Sequence, residues 1–198
     1  NWHHLFMDAQ ISRILENNDY ATTQFKKSYK VCDNEIPAPG LYLCIHYIDL
    51  EKYDEASKIL SETMENINHK TIAGMWLKHV DMFAKMLRGI ISIKNNDLEN
   101  AYVTMSEIRK IEDVDDSNLF CLSGLYFILD NVDEGYKLIE EYIESQGISA
   151  LTRQEDMIND PLWENLRKDP RYIDLLKKLK LYDYWKDDPE IKKLERGK

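Results

Sequence analysis

The chain has 198 residues, 43% of them hydrophobic and 31% charged, enough to bury a sizeable core in an ordinary globular protein. Seven Gly and five Pro among abundant Lys, Glu, Asp, Ile and Leu disfavour a fold built on tight β-turns and suit long helices. A formal net charge of −10 repels nucleic acid and anionic membrane surfaces at long range, so neither is an expected partner.

Taken in chain order, four segments repeat. The first runs through Leu5, Ala9, Ala21, Phe25 and Ser28. The second sets Leu43, Cys44, Tyr47, Tyr53, Ala56, Leu60 and Thr63 at a spacing that returns in the fourth as Leu122, Ser123, Tyr126, Val132, Gly135, Ile139 and Tyr142. The third passes through Gly89, Leu98, Ala101, Met105 and Ile108. In each copy a small residue of the first apolar stripe (Ala9, Cys44, Gly89, Ser123) precedes one of the second (Ala21, Ala56, Ala101, Gly135) by twelve positions. That pattern predicts two antiparallel helices in close approach, ridges packed into grooves. The polar stretches ENND, EKYD, KNND and DNVD supply the turns, their Asn and Asp suited to helix ends and N-caps. Residues 71–94 hold no breaker stronger than Gly and predict one helix longer than the rest.

These residues resemble the tetratricopeptide repeat, whose helix pairs recur every ~34 residues. The key positions here lie 35 apart (Ala21 to Ala56), then 45 (to Ala101), then 34 (to Gly135). The resemblance implies an all-α, right-handed superhelix of about four helix pairs over residues 1–147. Lys85 and Arg88 stand where the family usually has large apolar residues, and its helix-ending Pro is absent.

The tail departs from the repeat and carries its own punctuation. Asp160-Pro161 and Asp169-Pro170 each predict a helix start, with Asp as cap and Pro in the first turn. Leu162, Trp163 and Leu166, then Tyr172, Leu175, Leu176 and Leu179, recur at helical spacing and would cover the last apolar face of a repeat array. Asp160, Pro161, Leu166, Arg167, Asp169, Pro170, Arg171, Tyr172, Leu175, Leu176 and Leu181 resemble the segment that closes such repeats in bacterial signalling and regulatory proteins, with Tyr172 where Phe is usual. Capping helices are thus expected over 148–182, and a polar tail or short helix, starting at Asp188-Pro189, over 183–198. Residues 1–166 hold 15 basic against 29 acidic side chains and residues 167–198 hold 11 against 7. The basic tail is either a solvated surface or docked on the acidic body.

Motifs for chemistry are scarce. No GxGxxG or GxxxxGK[ST] occurs, and the adjacent His3 and His4 project about 100° apart on a helix, a poor chelate. His46, His69 and His79 are isolated. Glu112, Asp113, Asp115 and Asp116 form an acidic loop without the Gly and closing Glu of a calcium site. Cys32, Cys44 and Cys121 are widely spaced and lack a CxxC pair, so buried thiols are expected rather than a disulfide framework. Arg167 and Arg171 are expected to cap helix ends or pair with nearby Asp. No catalytic residue, metal or cofactor is expected.

No apolar run reaches the ~18 residues of a membrane span, and a signal-peptide pattern is missing at the N-terminus. A cytoplasmic protein is expected, or an extracytoplasmic one should a span precede this chain. Asn1 in place of an initiator Met predicts a fragment or processed product. In the tetratricopeptide family the first helix of each pair lines a concave face. Mapped here, that face would show Phe6, Gln10 and Arg13; Leu41, Ile45 and Ile48; Phe83, Met86 and Ile90; and Phe120, Gly124 and Phe127. It lacks the Lys, Asn and Arg that clamp a C-terminal carboxylate. Its apolar character suits an open groove for a hydrophobic segment or a buried core. The expected function is a noncatalytic protein-interaction or sensory module, the C-terminal part of a bacterial regulatory protein, with a protein or peptide partner or its own upstream domain. A small-molecule sensor and a homodimerisation scaffold are the alternatives.

Overall fold

A computed structural model describes residues 1–32, 36–67, 74–111, 116–146 and 163–196, apart from the side chains at 74–78, 190 and 196. Among them no strand occurs, and the all-α class is as expected. Four helix pairs follow one another: α1 (Trp2–Ile14) with α2 (Asn18–Val31), α3 (Ala38–Asp49) with α4 (Tyr53–Asn66), α5 (Gly74–Lys94) with α6 (Leu98–Arg109), and α7 (Ser117–Ile128) with α8 (Val132–Gln146). Among the described residues four shorter helices follow, α9 (Glu164–Lys168), α10 (Arg171–Lys178), α11 (Tyr182–Trp185) and α12 (Pro189–Arg196).

The four pairs turn in the same way, which is the repeat expressed in hydrogen bonds. The first helix of each pair ends on a residue with positive φ: Glu16 (58°), Glu51 (57°), Asn96 (64°) and Asp130 (59°). Its N–H donates to the carbonyl three residues back and the next N–H to the carbonyl five back, as in Glu16 N to Arg13 O and Asn17 N to Ser12 O. This is a Schellman closure made without its customary Gly. The residue after it (Asn17, Lys52, Asp97, Asn131) then accepts, through its own carbonyl, the N–H of Ala21, Ala56, Ala101 or Gly135. One residue closes a helix and opens the next, so the connection is minimal and the helices return antiparallel. The expected side-chain caps form at Asp97, which accepts from Asn100 N–H, and at Asn131, which accepts from Glu134 N–H; Asn17 makes none.

The small residues sit where the spacing put them. Ala9, Cys44 and Ser123 in the first helices and Ala21, Ala56 and Ala101 in the second are fully buried, and Gly89 and Gly135 are buried too. A Cβ on Gly135 would stand 2.8 Å from the Phe127 ring. The predicted long helix is α5, at 21 residues against 12–15 in the other paired helices.

The chain forms two compact units, Asn1–Thr104 and Met105–Lys198. In the first unit α1 packs on α2, α2 on α3, α3 on α4, and both α3 and α4 on α5. In the second the tail is not a separate layer but part of one core. Phe120, Phe127, Tyr136 and Ile139 from the last helix pair are buried together with Trp163, Leu166, Tyr172, Leu175, Leu176, Leu179 and Ile191. Of the two predicted Asp-Pro starts, Asp169-Pro170 opens α10, with Asp169 Oδ1 accepting the Arg171 N–H at 2.8 Å; Asp160-Pro161 lies outside the described residues. Asp188-Pro189 opens α12 as expected. A fifth Schellman closure, with Lys180 at φ 58°, ends α10. Among the described residues no helix is long and apolar enough to cross a membrane.

Candidate functional site

The residues expected to line a groove are mostly interior. Leu41, Ile45, Ile48, Met86, Ile90, Phe120 and Phe127 are buried, and Gly124 is as well. Phe6, Gln10, Arg13 and Phe83 are half-buried. Phe6 lies edge-on to Phe25 and Tyr42, with ring centroids 6.1 and 5.1 Å away, and Arg13 Nε donates to Asp49 Oδ2. The apolar face is thus core at the seven large positions named first, because small-residue contacts draw the helices close enough to cover it. A partner could reach those seven side chains only by repacking the protein.

On α7 the occupant of that face is visible, and it comes from the same chain. The Trp163 indole, 2% exposed, lies 4.6 Å from the Phe120 ring and 6.0 Å from Phe127 by centroid. It rests on Gly124, where a Cβ would come within 3.2 Å of the ring. Polar groups then lock the tail in place. Asn165 Nδ2 donates to the Phe127 carbonyl at 2.8 Å, and the buried Tyr136 hydroxyl donates to the Leu166 carbonyl at 2.8 Å. Arg171 stacks 4.3 Å over the Tyr136 ring, bonds both carboxylate oxygens of Asp169, and reaches Asp133 Oδ1 at 2.9 Å. Hydrogen bonds from Arg171 hold the Asp169 carboxyl below its ordinary pKa. Lys178 meets Glu140 at 2.8 Å. The basic tail is therefore docked on acidic residues of α8, the sharper of the two readings of the charge pattern. Arg171 has the pairing role expected of it.

A different surface stands open. On α1, Met7, Ile11, Ile14 and Leu15 are 45%, 53%, 76% and 73% exposed, while Leu5, Phe6, Ala9 and Ser12 face inward to varying depth. His3, His4 and Asp8 share the exposed side. Of the two charged side chains within α1, Arg13 pairs with Asp49, whereas Asp8 stays exposed and accepts the Tyr20 hydroxyl at 2.8 Å. The result is an apolar strip with one exposed carboxylate, Asp8, beside it. Its sequence signal was a helix apolar on two faces at once, which a search for a single stripe passes over.

Groups with chemical potential are buried singly. His46 is fully buried, with Nε2 2.8 Å from Thr22 Oγ1. That hydroxyl already donates to the Asn18 carbonyl, so it accepts from His46 Nε2–H, leaving Nδ1 bare and without a hydrogen-bond partner. Burial lowers the His46 pKa, Arg13 and Lys52 lower it further, and the Asn18 carbonyl opposes them. Burial pushes the Cys44 thiol up to about 12, far from the thiolate a nucleophile requires. Cys32 and Cys121 are buried as well. Among the described residues no three His, Cys, Asp or Glu side chains gather as a metal site; His69 and the acidic residues 112, 113 and 115 lie outside them. Comparison with protein-family models, curated proteins and solved structures finds no match, so the candidate surface rests on its own geometry.

Proposed function

We propose that the chain is a noncatalytic protein-interaction module of tetratricopeptide-like superhelical architecture, which engages its partner through the exposed face of α1. The observation that carries this reading is the strip Met7, Ile11, Ile14 and Leu15, four large apolar side chains left in water along α1 and its C-cap. An apolar surface of this kind marks a place of association. The repeated helix-pair turns support an interaction role as the part of a cytoplasmic regulatory protein that holds a partner.

A photo-crosslinking residue placed at Ile11 tests this in cells, with the exposed Ser57 of α4 as control. Ile11 is expected to yield a discrete crosslinked product that Ile14→Glu abolishes. Equal, diffuse labelling from both positions would sink the proposal.

A further inference from the structure

The joint between the first two helix pairs is built from polar side chains. In α3 the stripe Tyr42, His46 and Asp49 faces the preceding pair. The Tyr42 ring lies edge-on to Phe6 of α1 at 5.1 Å between centroids, and the His46 ring lies 5.4 Å from Phe25 of α2. His46 Nε2 is 2.8 Å from Thr22 Oγ1 of α2, and the Asp49 carboxylate accepts from Arg13 of α1. Counted from the small residue of each first helix, the same positions are Leu87, Ile91 and Lys94 in α5, and Cys121, Leu125 and Ile128 in α7. Where α3 has His46, α5 and α7 thus bury an aliphatic side chain, Ile91 or Leu125. What an imidazole adds at that position is a proton acceptor.

The acceptor is Nδ1, buried and without a hydrogen-bond partner. A proton arriving there makes a cation that Arg13 of α1 and Lys52 of the α3–α4 turn both repel. On α2 the Thr22 hydroxyl and the Asn18 carbonyl serve the other ring nitrogen. The Asp49 carboxylate, one turn along α3, is engaged by Arg13. A buried charge that lacks an acceptor is strongly disfavoured, so the closed joint rejects a proton that water would allow an open one to take.

We propose that His46 makes this joint an acid-operated release, in which protonation at Nδ1 frees the α1–α2 pair from α3 while α3 and α4 stay folded. The first pair joins its unit through the packing of α2 on α3, and an array whose pairs touch only their neighbours opens locally at its weakest joint. Burial, Arg13 and Lys52 together hold the closed-state pKa of His46 below the ordinary value of 6.5, against the Asn18 carbonyl. The joint is therefore tight above about pH 6.5 and loosens as the pH falls from there to the closed-state value, by up to about tenfold per pH unit for one proton. Asp49 acts in the opposite sense: burial raises its pKa, so the closed joint takes up that proton more readily than the open one. Release in the mildly acidic range is set by His46, and it frees the helix pair that carries the exposed α1 strip.

Hydrogen exchange of the full chain from about pH 7.5 to about pH 5 tests the release, read as protection factors so that the intrinsic pH dependence of exchange is removed. Amides of α1 and α2 are expected to lose protection by up to about tenfold per pH unit below about 6.5, while α4 keeps its own and a return to neutral pH restores the loss. In His46→Leu, which installs the side chain found at the matching position of α7, α1 and α2 are expected to stay protected throughout. His46→Gln, polar but unable to titrate, gives the same readout should the Leu variant fail to fold. Loss of protection in α1, α2 and α4 together, no loss across the range, or an undiminished pH dependence in the folded variants overturns the proposal.

Discussion

Gly124→Ala should change sign with the residue above it. A Gly in a helix interior costs about 1 kcal/mol relative to Ala, so the substitution in α7 ought to stabilise. The new methyl, however, would lie 3.2 Å from the Trp163 ring, which is pinned between Phe120 and Phe127 and cannot retreat freely. Overpacking of this kind costs about 1–3 kcal/mol, so in the native protein Gly124→Ala is expected to be neutral to destabilising by about 2 kcal/mol. Trp163→Ala alone removes a buried indole and should cost about 3–5 kcal/mol. With the indole gone the methyl occupies vacated space, and Gly124→Ala should then stabilise by about 1 kcal/mol. The predicted coupling is about 1–3 kcal/mol, read from a double-mutant cycle by urea unfolding with far-UV circular dichroism. An effect of Gly124→Ala that is the same in both backgrounds would refute the seating of Trp163 on α7.

Three further outcomes follow from the same geometry. Glu51→Gly should raise stability by about 0.5–1 kcal/mol, because relief of a left-handed non-Gly conformation outweighs the added chain entropy, whereas Glu51→Val should lower it; thermal melts distinguish the signs. His46 is held neutral by burial, with its folded pKa below the unfolded value of about 6.5. The unfolded chain therefore binds the extra proton, and stability should fall as pH drops below about 6.5 towards the folded pKa; urea midpoints across that range should lose this component of slope in His46→Gln. Tyr136→Phe removes the hydroxyl that donates to the buried Leu166 carbonyl and should cost about 1–3 kcal/mol, measured as a shift in urea midpoint without a change in helix content.

The helix pairs were legible because small residues twelve positions apart are a direct demand of close packing, and because α5 contains no strong breaker. The closures at Glu16, Glu51, Asn96 and Asp130 were not, since left-handed helix ends are usually announced by Gly and here carry acids and amides. Asp169-Pro170 and Asp188-Pro189 announced α10 and α12 by local chemistry alone. What covers α7 could not be read in the same way: that Trp163 lies on Gly124 depends on how residues thirty-nine positions apart come together. The sequence left the face of Leu41, Ile45 and Phe127 open between groove and core, because periodicity reports which residues share a face, not whether a neighbour sits on it; in the structure all three are buried. The α1 strip was missed for the converse reason, its inward stripe having already accounted for the helix.

The indole on α7 also orders events during synthesis. When the α7–α8 hairpin leaves the ribosome, Phe120, Gly124 and Phe127 still lack the Trp163 indole, and Tyr136 lacks the Leu166 carbonyl. At about 5–20 residues per second, the stretch from Gln146 to Leu166 takes roughly 1–4 s to appear. For that interval the second unit is a hairpin with an aromatic face in water, and only the last thirty-odd residues of this chain complete it. Repeat arrays ordinarily fold by addition of neighbours in sequence; here the final pair must wait for its lid, which makes those seconds the window in which a chaperone would have something to hold.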